Sequence, residues 1–351
     1  MRAARGMTGA AVYDPAMYSE DDLESAVTAG VLTREAAAAF RTHVAQQRTA
    51  PIADEEHFRL VTGFNDIFVV IASVLLLASL SWIGTAAIGP TLGAAAVAVA
   101  AWALCEFFVR RRRMALPAIV LLLAFVGSVL VAGLYGLSGL GLHGYGPMTG
   151  ASALAAAAAW LHWWRFRVPI TVAAGCAAVL GCLIAVLLWF FPAARNYTTP
   201  LFFVAGAGVF ALAMRWDAAD TRRQSRRSDV AFWLHLLAAP LLVHSAFSAI
   251  GVAAAPIGTW QALAVVLLYV VIALVSLAID RRALMVAALG YVLYTFSALL
   301  ERSGMVSLNF AVTALVIGSA LLLLSAFWHP SRAFVLKRAG SGLQAALPPF
   351  R

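Results

Sequence analysis

From residue 64 onward the chain is a succession of long apolar runs, separated by short segments that carry charge, proline or glycine. Each run is about twenty residues long, which is what an α-helix needs to cross roughly 30 Å of hydrocarbon at about 1.5 Å per residue. The pattern predicts spans at 66–86, 90–109, 115–136, 148–164, 168–191, 199–215, 229–251, 259–279, 283–301 and 306–328. The expected fold class is therefore all-α, a polytopic transmembrane helical bundle of about ten spans over residues 64–329. Residues 1–63 are polar by contrast. Ser19 followed by Glu20, Asp21 and Asp22 reads as a helix start with acids in its first turn, and Gly30 closes that helix. Thr33 is placed to cap a second helix through Ala36, Phe40 and Val44. The expected product is a helical hairpin over about 19–47 and a linker containing Pro51. It is too small for a core of its own, so it is expected to pack on the loops or on a protein partner. Residues 330–351 form a basic tail.

Composition sharpens this picture. Hydrophobic residues make up 63% of the chain and charged ones 12%, against about 45–50% and about 25% in a soluble domain. The net charge of +9 would suit nucleic acid, but its placement argues against that partner. The basic residues sit in short clusters between apolar runs, where they set topology. With the N-terminus inside, the cytoplasmic segments collect all but Arg195 and Arg302 of the 25 basic residues. Both termini are thus expected in the cytoplasm. Tryptophans agree: Trp82, Trp189 and Trp260 fall near the outer face, and Trp160, Trp163, Trp164, Trp216, Trp233 and Trp328 near the inner one. No apolar run precedes residue 64, so no cleavable signal peptide is expected and the first span serves as the membrane signal.

Little in the chain spells out chemistry. Gly139-Leu-Gly141-Leu-His143-Gly144 matches GxGxxG literally, but a dinucleotide fingerprint needs a strand before it and a helix after it. Here it lies between apolar helices and reads as a compact loop. Cys105, Cys176 and Cys182 form no CxxC pair and read as small packing residues. There is no HExxH, GxSxG, Walker-type loop or CxxCH, and the single lysine is Lys337. No metal, no cofactor and no catalytic residue is expected.

Ionisable residues inside spans are the better guide, because their desolvation is costly. Glu106 stands four residues before Arg110, the spacing of a local ion pair. His162 reads as structural, Asp66 and Asp229 suit helix N-termini, and Asp280 is expected to pair with Arg281 or its neighbours. The seventh span carries His235, Pro240 and His244, and Pro240, His244 and Ser248 form one stripe. His235 and His244 fall on opposite faces. The ninth span adds Tyr291, Tyr294 and Glu301 at a similar depth, and the tenth adds Asn309. A polar intramembrane site of His244, Ser248, Tyr291, Tyr294, Glu301 and Asn309 is the expectation. The competing reading is that these groups tie helices together by hydrogen bonds.

The run from Glu55 to Asp66 (EEHFRLVTGFND), the turn Ala29-Gly30-Val31-Leu32-Thr33 and the ending Phe327-Trp328-His329-Pro330-Ser331-Arg332 resemble a bacterial multi-pass membrane family known only as a domain of unknown function. The resemblance covers most of the chain. It implies a bacterial inner-membrane location and supplies no catalytic or binding residues. The leading functional expectation is a transporter-like permease for a small solute. The alternative is a non-transporting scaffold or sensor that recruits a protein partner through the N-terminal hairpin, and nothing points to an enzyme. The lipid bilayer is the partner common to both.

Overall fold

The computed structural model describes residues 20–47, 64–220, 226–251, 259–302 and 327–338, with the isolated positions 315, 318 and 319. Helix and turn account for these segments, and the chain divides into two compact units, residues 1–58 and 59–351. The first unit contains α1 (Glu20–Thr28) and α2 (Arg34–Gln47). Gly30, at φ 70°, turns the chain between them, and the Thr33 hydroxyl accepts the amide of Ala36 at 3.1 Å to cap α2. Ala37 is buried there, whereas Val31 is 77% and Phe40 42% exposed.

The second unit is a helical bundle. It comprises α3 (Phe64–Ile88), α4 (Pro90–Leu104), α5 (Ala115–Gly139), α6 (Gly146–Phe166), α7 (Ile170–Phe190), α8 (Thr198–Ala218), α9 (Arg226–Ala249), α10 (Thr259–Ile279), α11 (Ala283–Arg302) and α12 (Trp328–Arg338). A π-helical turn, Cys105–Arg111, extends α4, and a 3₁₀ turn, Pro192–Tyr197, leads into α8. From α3 to α7, and again in the pairs α8–α9 and α10–α11, sequential helices pack as neighbours because their connections are short. The α3–α4 hairpin is the tightest. Gly89, at φ 86°, alone separates the two helices, and a Cβ on Gly93 would stand 2.6 Å from the backbone nitrogen of Thr85. Only glycine lets the backbones approach so closely.

The bundle is apolar on the outside and small on the inside. Leu75, Leu183, Val204 and Leu267 are exposed large hydrophobics, and Trp82 is 81% exposed. The fully buried positions include Ala101, Ala151, Ala213, Ala231, Ala239 and Ala288. In water such a surface would far exceed the apolar patches that monomers tolerate. In lipid the hydrophobic drive between helices vanishes, and small residues let the backbones pack. One core surrounds Leu121 and Leu122, a second surrounds Phe247 and Val265, and Ala173, Val209, Ala213 and Leu234 join the two across α7, α8 and α9. Helix α9 is central: it packs on α7, α8 and α11 and runs unbroken through Pro240.

The chain is thus an integral multi-pass membrane protein, but the span count differs from the ten read from sequence. Among the described residues, seven helices are long and apolar enough to cross a bilayer: α3, α4 with its π-helical turn, α5, α7, α8 with its 3₁₀ turn, α9 and α10. Helix α6 has the length, but its glycines, tryptophans, His162 and Arg165 dilute its hydropathy below that of a span. In α11 the described apolar stretch, Ala283–Thr295, is too short. The run 306–328 lies almost wholly outside the described residues. Counting apolar runs treats alanine-rich and interrupted segments as equal to leucine-rich ones.

Candidate functional site

Helix α9 carries both histidines of the seventh apolar run, and the structure places them in different surroundings. His244 is exposed, and its Nδ1 is hydrogen-bonded to the hydroxyl of Tyr291 on α11. The Tyr291 ring stacks on Phe247 at 4.6 Å between centroids. Ser248, one turn beyond His244, is half-buried, and Tyr294 is 50% exposed. Glu301 falls in the last turn of α11 with its side chain outside the described residues, and Asn309 lies outside them altogether. Of the six residues expected to share a site, His244 and Tyr291 are in contact.

His235, on the face opposite His244 and outside the expected site, is wholly buried at the centre of a polar network. Three helix ends converge there. Asp217 sits in the last turn of α8, Ser228 in the first turn of α9, and Arg281 just past the end of α10. Asp217, Arg281 and Ser228 are all buried as well. The Asp217 carboxylate accepts a hydrogen bond from His235 Nε2 at 2.9 Å and two from Arg281, at 2.6 Å from Nη2 and 3.2 Å from Nε. Arg281 Nη2 also donates to the carbonyl and the hydroxyl of Ser228, at 3.3 and 3.2 Å. An ionised carboxylate only accepts, so His235 carries a proton on Nε2. The Phe210 ring packs edge-on against the imidazole at 5.3 Å. His235 lies about 14 Å along α9 from Arg226 at about 1.5 Å per residue, so the network reaches well into the span.

Local backbone geometry aims these groups. Helices α8 and α9 approach closely at Gly206, where a Cβ would meet Leu241 Cβ at 2.9 Å and the Leu242 nitrogen at 3.0 Å. After α10 the chain reverses at Asp280, which holds φ 56°, and Ser276 donates its hydroxyl to the carbonyl of Arg281. The reversal sends Arg281 and Asp280 to different partners. Asp280 accepts from Trp328 Nε1 on α12 at 2.8 Å and lies 3.7 Å from Arg332. Arg281 thus turns to Asp217, while Asp280 meets Trp328 and Arg332. No local pattern links Asp217 to Arg281, which lies 64 residues away. The one hint was an acid standing at the end of an apolar run, beside Arg215.

A second buried cluster occupies the other part of the bundle. His162, fully buried on α6, contacts Cys105 Sγ at 3.7 Å and shares a hydrogen bond with the Thr171 hydroxyl at 3.2 Å. Trp102, Phe125 and Phe166 close round its ring. Glu106 makes the expected pair with Arg110 at 3.3 Å, and a closer two-pronged pair with Arg165 of α6 at 2.8 and 2.9 Å. These groups fasten α4, α6 and α7 to one another. The GxGxxG stretch is the α5–α6 connection, where Gly141 and Gly144 hold φ 85° and 62°, and no strand precedes it. Among the described residues no three His, Cys, Asp or Glu side chains are grouped to hold a metal.

Compared with protein-family models, with curated proteins and with solved structures, the chain matches none.

Proposed function

We propose that the chain is a permease-type carrier for a small solute, with its N-terminus on the cytoplasmic side of a bacterial inner membrane. The observation that supports this reading is the buried network of Asp217, His235 and Arg281. Ions removed from water cost several kcal/mol each, and well-packed apolar residues would hold three helices together as well or better. Ionisable groups buried within a membrane bundle accordingly mark ion and proton pathways as well as serving as glue. Here His235 and Arg281 share one carboxylate. A change in who holds it would loosen α8 from α9 or from α10, which gives the bundle two arrangements. His244, Ser248 and Tyr291, with Tyr294, Glu301 and Asn309, are the proposed polar site toward the opposite end.

A carrier must admit water to its centre in at least one state, and this can be tested without knowing the solute. Ala231 and Ala238 flank His235 on α9 and are fully buried. With Cys105, Cys176 and Cys182 replaced by alanine, a cysteine at position 231 or 238 should react with a membrane-impermeant thiol reagent in proteoliposomes, much faster than the protein unfolds. Labelling only at the unfolding rate would show a static bundle and sink the carrier reading.

The exposure of Val31 in the turn between α1 and α2 and of Phe40 on α2 favours a second reading, a scaffold or sensor that recruits a protein partner there. Deleting residues 1–50 should then leave the bundle folded and abolish the cellular phenotype. Full activity after the deletion removes that reading's support.

A further inference from the structure

We infer that the end of the bundle formed by the α4 π-helical turn and the C-terminus of α6 is a docking surface for the phosphate headgroups of anionic phospholipid. Six arginines meet there: Arg110, Arg111, Arg112 and Arg113 after α4, and Arg165 and Arg167 at the end of α6. The Glu106–Arg165 pair brings the two segments together. Glu106 is also the sole acidic residue between Asp66 and Asp217, a stretch of some 150 positions. Its two oxygens are occupied by Arg165 and Arg110. Arg111, Arg112, Arg113 and Arg167 are exposed and have no carboxylate partner among the described residues. This surplus of positive charge has to be met by anions from outside the stretch.

The geometry selects phosphate at a membrane surface. Arg112 lies over the Phe107 ring at 5.6 Å and Arg167 over Trp163 at 5.7 Å, so each guanidinium is held by a ring face while its edge donors stay free. A planar fork of donors matches two oxygens of one phosphate. Arg113 and Arg167 both hold left-handed backbone, φ 54° and 56°, where their helical segments end. Trp160, Trp164 and Phe107 are exposed on the adjoining turns, at 68%, 64% and 41%. An aromatic rim beside a basic cluster is what the headgroup region of a bilayer accommodates. Nucleic acid shares the phosphate but not the need for a hydrocarbon-facing rim.

The test uses the full chain purified in a neutral detergent, with phosphatidylglycerol, phosphatidylcholine of the same acyl chains, and inorganic phosphate as probes. Native mass spectrometry counts retained lipid and thermal unfolding gives its effect on stability. Phosphatidylglycerol should be retained and should raise the midpoint; phosphatidylcholine and inorganic phosphate should not. Arg113→Gln with Arg167→Gln should weaken phosphatidylglycerol binding by roughly 25-fold, at about five-fold per arginine near an anionic surface. A control that removes Arg34, Arg195, Arg215 and Lys337 should change it little. Equal retention of the two lipids, an equal effect from inorganic phosphate alone, or equal losses in the test and control variants would each overturn the proposal. Should the double variant fail to fold, Arg111→Gln alone, with an expected loss of about five-fold, carries the same comparison.

Discussion

Asp217→Asn is the substitution that most directly probes what the buried network contributes. The amide is close in size to the carboxylate, so packing against α9 is kept and the charge is lost. Arg281 then faces an amide that offers one oxygen instead of two, and its remaining acceptors are the carbonyl and hydroxyl of Ser228 at 3.3 and 3.2 Å. The guanidinium is only 3% exposed, so water cannot take over. Breaking a buried pair by removing one partner costs about 3–5 kcal/mol, most of it from the charge left behind. Removing the orphan as well should restore part of that loss: Asp217→Asn with Arg281→Met should be less destabilised than the two single losses added together. A coupling of about 0.5–3 kcal/mol is the range for residues in direct contact. Reversible unfolding of the four proteins in detergent, followed by circular dichroism, measures the cycle. A single-variant cost below about 1 kcal/mol, the scale of an exposed ion pair, would refute the view that the network is dry. Strict additivity would show that Asp217 and Arg281 do not act as a pair.

Three further outcomes follow from the packing. Gly206→Ala should destabilise by about 1–3 kcal/mol through overpacking against Leu241 and Leu242, whereas Gly208→Ala, with open space at its Cβ, should be neutral or stabilise by up to about 1 kcal/mol; equal effects in a thermal-unfolding comparison would contradict the close α8–α9 approach. His244→Phe should change stability by less than about 1 kcal/mol because the ring is exposed, so a loss of phenotype at unchanged stability would mark His244 as functional. On the proposed topology, a cysteine at Arg112 should be labelled only from the cytoplasm and a cysteine at His143 only from outside, because α5 crosses between them; reversed labelling at either breaks that arrangement.

The sequence alone determined that this is a multi-pass membrane protein, because crossing a bilayer imposes a length and an apolarity that are legible in the apolar runs. It also determined the local pairs. Glu106 and Arg110 are one helical turn apart, so their contact follows from helical spacing, and the Thr33 cap follows from a hydroxyl three residues before an amide. It overcounted the spans where alanine and glycine stand in for leucine, since small residues read as apolar but mark packing as much as immersion in lipid. Only the tertiary structure decided which polar side chains meet. Asp217 and Arg281 lie 64 residues apart, and Glu106 and Arg165 lie 59 apart. Sequence periodicity tells which face of one helix a residue occupies, but not which face of another helix lies opposite. That is why the sequence left His235 outside the expected site. Its partner comes from α8, brought within 2.9 Å by the close approach at Gly206 and shared with an arginine that a left-handed turn at Asp280 points inward.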